Sequence, residues 1–138
     1  LVAADSTLTA GVRLGAGVVY VIFGGPNFFS TPVHDLAQGQ WGLRLLGAAA
    51  GEDTGGSSLF GGQISEGLAV GDITGDGIAD IALGAHLATA NSRDDAGKVM
   101  VVRGRTTFTA GATLDLASQA DVNVLGNETY GELGTALC

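Results

Sequence analysis

Two stretches decide the fold: Gly17-Val-Val-Tyr-Val-Ile-Phe-Gly24 and Gly97-Lys-Val-Met-Val-Val-Arg-Gly104, which superimpose at an offset of 80 residues. Each is a run of strand length, rich in β-branched residues and closed by glycine at both ends. One apolar strand could agree by chance, but the agreement extends outward. The same offset sets Phe28 on Phe108 and Asp35-Leu36-Ala37 on Asp115-Leu116-Ala117. One deletion then brings Leu45-Leu46-Gly47 onto Val124-Leu125-Gly126. Upstream, Leu1-Val2-Ala3-Ala4 matches Ala82-Leu83-Gly84-Ala85, and downstream Leu59-Phe60-Gly61 is set on Thr129-Tyr130-Gly131. The chain is an internal repeat, and a repeat governs the fold argument.

The better-covered copy predicts four short strands: Gln63 to Val70, Ile81 to Gly84, Lys98 to Arg103 and Val122 to Leu125. No stretch carries a sustained helical apolar period with caps. Four-stranded antiparallel units at this spacing are the pattern of β-propeller blades, so the expected class is all-β with about two blades. A parallel β-roll is the competing repeat, but it needs many Gly-Asp segments and this chain has one. Residues 1–47 are expected to end one unit, 48–126 to form a full one, and 127–138 to begin the next. Rings hold about four to eight blades, so further blades must come from more chain or from other copies. Two lone blades would expose apolar flanks.

Composition agrees with short strands and many turns. Of 138 residues, 24 are Gly, only 2 are Pro and 46% are hydrophobic, which excludes a disordered linker. The glycines do not fall at every third position, which excludes collagen. Fourteen acidic against six basic residues give a net charge of −8. That charge repels phosphate backbones and anionic lipid, so neither nucleic acid nor membrane insertion is expected. No apolar run approaches the roughly 18 residues of a membrane span. The sole cysteine, Cys138, can form no disulfide within the chain. With no initiator Met and no leader-like segment, the chain reads as a mature or excised piece.

Chemistry concentrates in Asp72-Ile-Thr-Gly-Asp-Gly-Ile-Ala-Asp80. Asp72, Thr74, Asp76 and Asp80 place oxygen donors at positions 1, 3, 5 and 9, with the Ile78 carbonyl at position 7. Ca²⁺ takes six to eight oxygens at about 2.3–2.6 Å and suits such a set. Gly77 permits the sharp turn, Asp80 is expected to bind in a bidentate way, and Ile73 and Ile78 are expected to pin the loop to the core. A plain Asp/Gly turn is the alternative, yet a turn does not need three spaced carboxylates around a glycine. Leu83 at position 12 and the β-type flanks exclude an EF-hand. Magnesium demands tighter octahedral geometry, and zinc lacks nearby His or Cys ligands.

With these residues in view, the sequence resembles the FG-GAP repeat of integrin α-subunit propellers and their bacterial relatives. Phe60-Gly61 resembles the "FG" element and Gly84-Ala85 the "GA" of "GAP". Tyr20-Val21-Ile22-Phe23-Gly24 and Val99 to Gly104 resemble the strand that follows, and Tyr130-Gly131 would begin another repeat. His86 stands where the family has Pro, and Thr74 where Asn or Asp is usual. The resemblance implies a calcium site between the first and second strands of a blade. It also implies an extracellular or cell-surface setting, and a non-catalytic role in adhesion or in protein or glycan interaction. An accessory propeller of a secreted hydrolase and an architectural subunit of a surface polymer are the alternatives.

No enzyme is expected. Asp76 with Asp80 could in principle serve as a hydrolytic carboxylate pair, but metal ligation would consume both. His34 and His86 have no catalytic partner in sequence and read as solvated loop histidines. Arg93-Asp94-Asp95 reads as a solvated turn, and Trp41 as a cap on a blade core.

Overall fold

The structure is a computed structural model and describes residues 2–5, 13–26, 28–30, 33–56 and 67–138. Among the described residues, eight short strands form two four-stranded sheets: β1 Val2–Asp5, β2 Val18–Val21, β3 Leu43–Leu46, β4 Leu68–Gly71, β5 Asp80–Ala85, β6 Lys98–Val102, β7 Ala112–Asp115 and β8 Val122–Leu125. The only α-helix among the described residues is the single turn α1, Leu116–Gln119. This is an all-β architecture of blade-like sheets, as the repeat predicts. No helix among the described residues is long and apolar enough to cross a membrane.

In the second sheet the order is β4-β5-β6-β8, antiparallel throughout. The expected strands over 81–84, 98–103 and 122–125 correspond to β5, β6 and β8. The expected strand over 63–70 corresponds to β4, its first residues lying outside the described ones. The first sheet runs β1-β2-β3-β7, and its last pairing departs from expectation. β7 leaves the connection between β6 and β8, crosses to the first sheet and pairs with β3 in parallel, Leu45 opposite Leu114. Each unit was expected to be a four-stranded antiparallel sheet. The crossing instead satisfies the outer edge of β3, whose backbone N–H and C=O groups would otherwise lack partners.

Pleat alternation decides what lies between the sheets. Val19, Val21, Leu43 and Leu45 of the first sheet meet Ile81, Leu83, Met100 and Val102 of the second in one cluster, with Leu116 beside them. Leu43, Leu45, Leu83 and Met100 are wholly excluded from solvent. A smaller cluster on the far side of the first sheet holds Ala16, Val18 and Tyr20, covered by Leu36 and Trp41. Trp41 rests at 5.4 Å from the Tyr20 ring and under the Arg44 guanidinium, the capping role expected of it.

The repeat extends to individual hydrogen bonds. Gly51 N–H donates to Leu14 O, and Tyr130 N–H to Asp94 O. Asp53 donates to Gly15 and Glu132 to Asp95; Thr54 donates to Ala16 and Leu133 to Ala96. Asp35 and Asp115 both cap the turn that follows, each accepting from the N–H two residues on. Tyr130 therefore occupies the place of Gly51, not that of Phe60, whose own segment lies outside the described residues.

Two expectations about polar residues are corrected. His86 is buried at 3% exposure, because the turn from Ala85 to Ala88 folds it in after β5. Arg93 is half-buried and donates to the Gly126 carbonyl through Nε and Nη2 at 3.0 and 2.7 Å, so it clamps two loops together.

Candidate metal centre

The loop 72–79 joins β4 to β5, and Asp80 opens β5. Its conformation follows from side chains that accept backbone N–H groups, the ordinary chemistry of Asx turns. Asp72 takes Gly75, Asp76 and Gly77 N–H at 2.7, 3.0 and 2.8 Å. Gly77 sits at φ +82°, where an L side chain is strained, which explains the glycine there. Asp76 takes Ile78 N–H at 2.9 Å through one oxygen and the Arg103 guanidinium at 3.1 Å through the other.

Asp80 is the anchor. It is fully buried, and its carboxylate accepts Ile73 and Thr74 N–H at 2.9 Å each and Gly104 N–H at 2.7 Å. Gly104 can come this close because a Cβ there would collide with the Ala79 carbonyl oxygen. The Gly104 N–H above all holds the Asp80 carboxyl below the usual carboxylate range. Burial works the other way, while the Thr74 and Ile73 N–H groups and the Thr74 hydroxyl add to the lowering.

All five residues read as calcium ligands therefore share one hairpin. Among the described residues, no three His, Cys, Asp or Glu side chains form a group that could hold a metal ion as they stand. A carboxylate offers about four lone-pair sites, and three N–H groups occupy three of those on Asp80. A bidentate Asp80 ligand, as expected from the spacing, would have to give up those bonds. Asp72, Thr74 and Asp76 lie at the exposed end of the loop, and a cation would replace Arg103 beside Asp76. By donor type the set suits a hard cation; by orientation it is a self-capped turn.

Ile78 is half-buried and lines a cavity of about 310 Å³ between the two sheets, together with Phe23, Ile81, Gly104 and Phe108. Ile73 is 58% exposed and pins nothing. Arg103 and Gly104 were read only as the end of a strand. The signal available for Gly104 was its recurrence as Gly24 in the first copy.

Residues 66–102 match the FG-GAP repeat family. The matched segment carries β4, the whole acidic loop, β5 and β6, and its sheet has the build of a β-propeller blade. No curated protein and no solved structure matched the chain.

Proposed function

We propose that this chain is a non-catalytic, calcium-binding propeller module that presents a protein- or glycan-binding surface outside the cell. The observation that carries this reading is the FG-GAP match over a β-hairpin whose loop holds three aspartates in nine residues. Asp72, Thr74, Asp76, Asp80 and the Ile78 carbonyl are the donors that would hold the ion. When bound, Ca²⁺ would supply positive charge that cancels the repulsion among the carboxylates and rigidifies the hairpin. Extracellular calcium modules work with Kd values of about 10⁻⁴–10⁻³ M, which suits a site with one hydroxyl donor in place of a carboxylate or amide.

The triply hydrogen-bonded Asp80 carboxylate favours a second reading, in which the loop is held by its own N–H groups and needs no ion. Thermal unfolding in excess calcium and in excess chelator separates the two. An ion that binds only the folded chain raises the melting temperature by mass action. Equal melting temperatures in both media would leave the self-capped turn as the sole reading.

A further inference from the structure

The cavity between the two sheets measures about 310 Å³, at the small end of the range of about 300–1,000 Å³ that ligand sites occupy. Protein interiors leave few voids larger than a water molecule, so an opening of this size along a packed seam calls for an occupant. Its walls are mainly apolar, with Phe23, Val70, Ile78 and Phe108 among them, and Arg105 is the one charged residue that lines it among the described residues. Phe23 is 43% and Val70 55% exposed, so apolar surface meets water at this opening. Arg105 carries five N–H donors and uses only Nη2, on the two Asp121 oxygens at 3.1 and 3.3 Å. Its Nε and Nη1 have no hydrogen-bond partner among the described residues.

We propose that this cavity binds a small, flat, uncharged aromatic molecule that carries a carbonyl acceptor, its ring against Phe23 and Phe108 and its carbonyl oxygen on Arg105. Three features select that class. The Phe23 and Phe108 rings lie within 20° of parallel at 6.4 Å between centroids, and flat faces so set favour a flat ring over a puckered one. The Arg105 guanidinium stands 5.7 Å from the Phe108 centroid, so a ring beside Phe108 brings an attached oxygen to the unused donors. Charge decides the rest. Asp121 takes the Arg103 N–H at 2.8 Å, Asp80 the Gly104 N–H at 2.7 Å and Asp76 the Arg103 guanidinium at 3.1 Å. These bonds fix the wall 103–105 in advance, and they also set three carboxylates around two guanidinium groups in a chain of net charge −8. A ligand anion is repelled by that excess, whereas a neutral oxygen accepts from Arg105 without the penalty.

Amide NMR spectra of the intact chain, titrated with benzamide in the presence of chelator, test the assignment. Chelator keeps this outcome separate from that of the calcium reading. The expected result is saturable shifts at Phe23, Ile78, Gly104 and Arg105. Benzoate, an anion of the same shape, is expected to bind more weakly, and so is cyclohexanecarboxamide, which is not flat. Arg105→Met keeps an apolar stem and should weaken benzamide binding about tenfold, through loss of a charge-assisted hydrogen bond. Phe108→Ala should weaken it as well, with a parent-like circular dichroism spectrum showing that each variant is folded. Should either variant fail to fold, Val70→Asp at its exposed position carries the same expectation. Absence of saturable shifts at these residues up to the solubility limit of benzamide overturns the proposal, and so does binding that the folded variants leave unchanged. Benzoate or cyclohexanecarboxamide binding as tightly as benzamide overturns the assigned ligand class.

Discussion

Asp80 and Asp76 lie four residues apart in one loop and do different work. Asp80 accepts three backbone N–H groups from two segments, so Asp80→Ala is expected to lower the melting temperature even in chelator, and by more in calcium, where a proposed ligand is lost as well. Asp76 is exposed and holds one N–H group and one guanidinium. Asp76→Asn keeps an acceptor for Ile78 and is expected to leave the melting temperature in chelator almost unchanged, while removing the increment that calcium gives. Paired melts of both variants in the two media check this. The positions of these aspartates were plain in the sequence, because their spacing is local. Their orientation was not, since it depends on Gly104, which reaches Asp80 only after β6 has folded beside β5. His86 was misread for a related reason: isolation in sequence says nothing about burial.

Among the elements, β5 is the most deeply held, with every residue buried. Leu83→Ala there is expected to cost about 2–5 kcal/mol, read from denaturant unfolding, because the two sheets cannot fully close over the lost volume. Gly84→Ala is expected to be destabilising as well, since the new Cβ would strike the Gly134 carbonyl oxygen. The strands β5, β6 and β8 were legible because their apolar alternation and flanking glycines are local features. β7 was not, because Ala112-Thr113-Leu114-Asp115 is a weak strand sequence whose partner is β3, nearly seventy residues earlier. Its end carries a pH signature. The Arg13 hydrogen bond chiefly holds Asp115 below its ordinary value of 3.8, against the opposing effect of burial. A lowered carboxylate contributes its full stability above that ordinary value and loses it as pH falls through the lowered one. Asp115→Asn should therefore lower the melting temperature at neutral pH, with a difference from the parent that shrinks on acidification below 3.8.

At the scale of the whole molecule, the two sheets share an apolar core and the buried Lys98–Glu52 ion pair. Glu52→Gln would leave Lys98 charged and almost unpaired in that junction, and about 3–5 kcal/mol of destabilisation is expected in denaturant melts. Replacing both partners with apolar residues should recover most of the loss. The repeat was readable from residues at one offset, and it foretold the two sheets, their class and the FG-GAP match. It could not foretell that the units interlock through β7, nor that Tyr130 takes the place of Gly51, because loop lengths differ between the copies. The claim on which the functional account turns is that the hairpin 72–80 takes a calcium ion. Amide NMR spectra recorded through a calcium titration test it most directly. The account predicts saturable shifts confined to residues 72–80 and to Arg103 and Gly104, as Asp76 exchanges its guanidinium and Asp80 its N–H partners for the ion. Spectra that stay unchanged in this hairpin up to the calcium levels found outside cells would contradict it.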